Sequence, residues 1–144
     1  MDKDCELPDR NASIDEVRSI LKESRRIAVV GHSDDPSRDS HRVGRYLAAH
    51  GYEVFAVNPN ARSTPSLRFY PDLASVPPPI DVVDIFRKPE FIPDIVDQAI
   101  RAGARVVWMQ LGLAHNAAAE KARAAGVRVV MNRCIMRDHA ALLG

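Results

Sequence analysis

The sequence predicts an α/β domain: one doubly wound parallel sheet with helices on both faces. Three observations carry this expectation. Residues 27–30, 54–57, 82–86, 106–109 and 127–131 are short, largely apolar runs, the pattern of strands buried on both faces. The segments between them carry helical periodicity and helix start and stop signals. A length of 144 residues, 46% hydrophobic and 27% charged, fits one domain that buries its core without disulfide or metal staples.

The elements follow in order. Residues 1–12 read as a flexible polar tail. Ser13-Ile14-Asp15-Glu16 is a capping box, opening a helix to about Glu23 with Ile14, Val17, Ile20 and Leu21 on one face. The first strand, 27–30, ends at Gly31, and the loop 32–39 is polar and holds Pro36. A second helix, about 40–50, turns Val43, Leu47 and Ala48 inward and stops at Gly51. The second strand, 54–57, breaks at Asn58-Pro59-Asn60. Residues 61–79 have turn chemistry and a proline cluster, with room for a short strand or one helical turn. That is long for a structural connection and suits a binding loop. The third strand is 82–86, followed by a helix from near Pro89 to Ala102 with Gly103 beyond it. A fourth strand, 106–109, precedes an alanine-rich helix over about 116–125 that Gly126 stops. The fifth strand is 127–131, and a weak last helix lies within 132–144. Five strands alternating with helices, in the order 3-2-1-4-5, make residues 13–144 a single Rossmann-like domain.

Charge and cysteine usage narrow the function classes. Lys and Arg total 20 and Asp and Glu 19, so a formal charge of +1 gives no global pull on nucleic acid or anionic membrane. Any anion site is therefore local. Cys5 and Cys134 sit at opposite ends of the chain and read as free thiols of a reducing compartment. The acidic N-terminus lacks the apolar core of a signal peptide, and no apolar run reaches a membrane span of ~18 residues. A cytoplasmic protein is expected. No cluster has zinc-ligand spacing.

In an open α/β sheet, ligands bind beyond the carboxyl ends of the strands, near the point where strand order reverses. That rule selects residues 31–40, 58–62, 86–88 and 110–112. In the first loop Gly31 permits a tight turn, Ser33 and Ser40 offer hydroxyls, and Arg38 can fork onto phosphate oxygens. The following helix N-terminus favours a phosphate, against which Asp34 and Asp35 weigh. A plain capped turn, with Ser40 as N-cap, explains the loop equally well. A nicotinamide dinucleotide is disfavoured. There is no G-x-G-x-x-G, and Asn58-Pro59 stands where a ribose-binding carboxylate belongs.

The segments IAVVGHSDDPSRDSHRVGRYL, GYEVFAVNPN, IDVVDIFRKPE and VVWMQLGLAHN, followed by MNRCIM, resemble the small stand-alone coenzyme A-binding proteins. Those are similar in turn to the CoA-binding domain of the succinyl-CoA synthetase α subunit. The resemblance spans about residues 13–139 and implies a five-stranded Rossmann-like fold that binds CoA or an acyl-CoA without a known reaction. It implies phosphate contacts from Gly31, His32, Ser33 and Arg38, and an adenosine beside Asn58 and Pro59, with Asn60 and Arg62 adjacent. Phe86, Arg87 and Lys88, and Gln110 and Gly112 with Leu111 between them, match segments lining the cleft. Asn132-Arg133-Cys134 matches an aspartate-led family motif. His32, where relatives have a small residue, is expected to crowd the pyrophosphate, and Asp34-Asp35 replaces a lysine.

Other candidates have plainer readings. His41 and His50 suit solvent or cap roles, and His115 and His139 the surface. No triad spacing is present. Asp81 reads as a strand-start cap and Asp84 as a buried hydrogen-bond acceptor, in preference to an acid–base pair. Trp108 reads as core, and Cys134 as a small buried hydrophobe in preference to a neighbour of the CoA thiol. Arg101, Arg105, Arg123 and Arg128 form a solvated face. Three classes stay open: a CoA-binding module without catalysis, a CoA- or nucleotide-dependent enzyme, and an interaction subunit of an acyl-CoA synthetase-like assembly.

Overall fold

The computed structural model describes residues 6–144. Helix α1 (Ile14–Glu23) starts at Ser13, whose hydroxyl accepts from the Glu16 amide, as the capping box requires. Strand β1 (Arg26–Val30), helix α2 (Asp39–Ala49) and strand β2 (Glu53–Val57) follow. Strand β3 (Phe69–Tyr70) and a single 3-10 turn (Leu73–Ser75) occupy the long connection. Strand β4 (Val82–Ile85) leads through a second 3-10 turn (Pro89–Phe91) into helix α3 (Ile92–Arg101). Strand β5 (Val106–Met109), helix α4 (Asn116–Ala124), strand β6 (Arg128–Val130) and helix α5 (Ile135–Leu142) complete the chain.

The sheet is fully parallel, in the order β3-β2-β1-β4-β5-β6. This corrects the five-stranded expectation at two points. The edge strand beside β2 is Phe69–Tyr70, too short to display any period. Residues 82–86, expected outside β2, instead lie between β1 and β5, with Val29 and Trp108 flanking Asp84. All four residues of β4 are buried, as befits a central strand and not an edge.

Alternation within the strands feeds two cores. Val83, Ile85, Val107 and Met109 face α3 and α4, packing with Ile92, Val96, Ala119 and Ala122. Ile27, Val29, Val82, Val106 and Trp108 face the other layer, with Val17, Leu21, Val43, Leu47 and Ile135 from α1, α2 and α5. Among the described residues no helix is long and apolar enough to cross a membrane.

Of the segment expected to be a flexible tail, residues 6–12 lie against α4 and β6. The Asp9 amide donates to Asn116 Oδ1 at 2.8 Å, and Arg10 makes a forked pair with Glu120. Asn11 exchanges two bonds with the Met131 backbone, mimicking a strand partner. Cys134 carries a free thiol, while Cys5 lies outside the described residues.

Asp81 accepts from the Arg25 and Arg26 amides, so it caps the strand start as expected. Asp84 departs from its reading. It is fully buried, yet neither carboxyl oxygen has a hydrogen-bond partner. Burial raises its pKa well above the ordinary carboxylate value. The linkage follows from that sign. At low pH both folded and unfolded states hold the proton. As pH rises past the ordinary value, the unfolded chain ionises and the folded one does not, so Asp84 increasingly disfavours folding until its own raised pKa is reached. Asp84→Asn should therefore raise the melting temperature relative to the parent chain by an amount that grows from pH 4 to pH 7. A difference that stays constant across that range in thermal melts would refute this assignment.

Candidate functional site

The carboxyl ends of β1, β2 and β4 meet at residue 31. Gly31 has φ +86°, its amide donates to the Val57 carbonyl at 2.9 Å, and a Cβ there would sit 2.4 Å from the Phe86 carbonyl oxygen. Glycine is thus required by conformation and by contact. Beyond it the loop is held by short-range bonds. The Ser33 amide donates to Ser40 Oγ at 2.8 Å, and Asn58 Nδ2 donates to the His32 carbonyl at 3.0 Å, tying the ends of β1 and β2 together. Ser40 is therefore a loop anchor, not the N-cap. Arg38 occupies that position, and α2 has no side-chain cap.

His32 does not crowd the loop. Its side chain is turned into α2, where a Cβ on residue 44 would meet Nε2 at 2.4 Å, and Gly44 makes the room. The residue is 2% exposed, and burial lowers its pKa, so the imidazole is held neutral despite its Nδ1 bond to the Ser33 carbonyl. The two aspartates are exposed carboxylates whose hydrogen bonds come from neutral groups close by. Asp35 accepts from the Ser37 amide and hydroxyl, and the backbone bond chiefly lowers its pKa. The Arg62 amide approaches Asp34 Oδ2 at 3.4 Å.

Three cavities border this loop. One of about 390 Å³ is lined by Gly31, Ser33, Arg38, Ser40 and Phe86. A second, about 660 Å³, shares Phe86 and Asp39 with the first and extends over Arg87, Lys88 and Gln110 to Cys134 and Arg137. A third, about 590 Å³, lies on the far side of the loop between His32, Arg62 and Phe69. Ten of the fourteen residues singled out from the sequence line one of these three. Asn58, Pro59, Asn60 and Gly112 do not. Asn58 instead holds the loop, with its Oδ1 accepting from the Asn60 amide. Asn132, at φ +56°, accepts from the Gly112 amide at 2.7 Å through a side-chain oxygen, a role that an aspartate carboxylate can fill equally well.

The wall formed by α5 was not legible. Cys134 is half-buried at the α5 N-cap, where it packs against the core shared by α1, α2 and α5 and also lines the larger cavity. Gln110 Oε1 accepts from the Ile135 amide at 3.1 Å, which docks α5 onto the end of β5. Its oxygen is thereby used structurally. His139, expected at the surface, is buried, accepting or donating through Nδ1 at 2.9 Å to Tyr46 Oη. His115 caps α4, and the His50 ring stacks on Tyr46. Trp108 is core, with Nε1 donating to the Arg133 carbonyl. Among the described residues no group of three or more His, Cys, Asp or Glu could hold a metal ion.

Comparison with known proteins agrees with the fold. The Bacillus subtilis protein YneT is 37% identical over 131 residues, covering 91% of this chain and 97% of that protein. A solved Pyrococcus horikoshii protein is 40% identical with a TM-score of 0.89, each chain covered in full. The dinucleotide-forming acetyl-coenzyme A synthetase 1 of Candidatus Korarchaeum cryptofilum matches with 26% identity and a TM-score of 0.65, over 76% of this chain but 26% of the synthetase chain. A family model for the CoA binding domain matches residues 25–140, all six strands and the cleft included, and the chain belongs to that family.

Proposed function

We propose that this protein binds coenzyme A, or an acyl-CoA, across the carboxyl ends of β1, β2, β4 and β5. The observation that carries the reading is the family match over residues 25–140, which takes in every cleft segment described above. The pyrophosphate lies against Gly31, His32, Ser33 and Ser40. There the N-terminus of α2 lacks a side-chain cap, and Arg38 has no ion-pair partner among the described residues. The adenosine lies beside Asn58, Pro59 and Asn60, with Arg62 near the ribose. The pantetheine arm passes Phe86, Arg87, Lys88, Gln110 and Gly112. The protein is a binding module in this reading, working in the cytoplasm. The synthetase match favours a second reading, in which such a module works beside other domains of an acyl-CoA synthetase-like assembly.

Three measurements test the proposal. CoA should stabilise the protein and NAD should not. At ~100 times its dissociation constant a single-site ligand adds ~2.7 kcal/mol, a rise of several degrees in melting temperature. Equal shifts with both ligands would end the CoA reading. Arg38→Ala should weaken CoA binding roughly tenfold or more in calorimetry, since a charge-assisted phosphate bond is worth ~1.5–3 kcal/mol and Arg38 is exposed. Unchanged affinity would show the phosphates to lie elsewhere. Finally, CoA should bind more tightly than 3′-dephospho-CoA, by a margin that shrinks with salt and vanishes in Arg62→Ala. Equal binding of the two ligands at low salt would remove Arg62 from the site.

A further inference from the structure

The larger cavity carries a charge imbalance that the CoA reading leaves unused. Its floor is apolar, from Val43, Phe86, Leu113 and Met136. Its rim holds Arg42, Arg87, Lys88 and Arg137 against a single carboxylate, Asp39, which is already paired with Arg42. Among the described residues Lys88 and Arg137 have neither an ion pair nor a side-chain hydrogen bond. The Arg87 guanidinium lies over the Phe91 ring, 4.2 Å from its centroid. Three cations therefore face one apolar hollow without an anion of the protein to balance them.

Resting on the CoA reading, we infer that this cavity receives the acyl end of the ligand, and that the acyl group is itself anionic: a thioester of a dicarboxylic acid. In that reading the pyrophosphate lies at the 31–40 loop and the 3′-phosphate near Arg62, on the other side of it. What enters the larger cavity is the pantetheine arm, which is uncharged and cannot compensate the rim. An acyl chain ending in a carboxylate satisfies both features at once. Its methylenes lie on the apolar floor, and its carboxylate reaches Arg137 and Lys88, where a guanidinium can take it through two parallel bonds. A neutral acyl chain fills the same floor and leaves the cations unmet.

The test compares CoA, pentanoyl-CoA and glutaryl-CoA, the last two matched in chain length and differing in the terminal carboxylate, by calorimetry on the full chain. Glutaryl-CoA should bind about tenfold more tightly than pentanoyl-CoA at low salt, with the ratio falling as salt is added. In Arg137→Ala the ratio should drop towards one, and Arg137→Lys should restore part of it. Lys88→Ala is the second variant and should lower the ratio independently. Equal affinity for the two thioesters overturns the inference while leaving CoA binding standing, and so does a preference that survives both alanine variants. Failure of all three ligands to bind overturns the CoA reading itself.

Discussion

Between the ends of β1 and β4 the two backbones approach so closely that residue 31 has no room for a side chain. The missing Cβ would lie 2.4 Å from the Phe86 carbonyl, and the Gly31 amide is meanwhile spent on the Val57 carbonyl of β2. Three strand ends are thus fixed on one glycine. The direction in which the chain leaves β1, and so the position of the 31–40 loop and of α2 behind it, depends on that contact. All three cavities border this loop, so the cleft inherits its shape from a steric constraint inside the sheet.

The loop beyond Gly31 reaches its conformation without further glycines. A glycine-rich phosphate loop uses backbone freedom to bring amides close to the ligand. Here polar side chains do the holding: Ser40 on the Ser33 amide, Asn58 on the His32 carbonyl, Asp35 on Ser37. The bulk of His32 is removed to the far side by Gly44, so the second glycine that a dinucleotide loop spends on ligand approach is spent on packing a neutral imidazole. Such a loop is pre-formed by many short bonds, each worth about 1 kcal/mol net, and loses little further freedom when a ligand arrives.

The elements were legible because their signals are local. Ser13 and Glu16 announce α1 within four residues, and Gly31, Gly51, Gly103 and Gly126 mark turns that the chain adopts at positive φ. Strand order is not local. Whether residues 82–86 pair with β1 or lie outside β2 depends on contacts across more than fifty positions, and all five runs are short and largely apolar, so their composition does not rank them from centre to edge. The site divides along the same line. The loops at the strand ends could be read off because topology alone selects them. The α5 wall, with Cys134, Met136 and Arg137, meets α2 across about ninety residues, and no periodicity links the two. Asn11 pairing with Met131 is another instance: a polar tail residue gives no sign that its amide replaces a missing strand neighbour.

Charge is where composition and structure differ most instructively. A formal charge of +1 means that at the ~8 Å screening length of physiological salt the molecule as a whole attracts no anion. Much of its ionic complement is consumed in pairs on the outer surface, such as Arg10 with Glu120, Arg18 with Asp15, and Lys121 with Asp97. Exposed pairs of that kind add little stability, typically ~0–1 kcal/mol each, but they neutralise one another. Within the described residues other cations, Arg38, Arg45, Arg62 and Arg101 among them, have no ion pair either and are spread over the surface. Three of them, Arg87, Lys88 and Arg137, stand without ion pairs around one hollow with an apolar floor, where their fields add. A chain can therefore be nearly neutral overall and still present a locally positive site, because its acidic residues balance the total without lying beside these three cations.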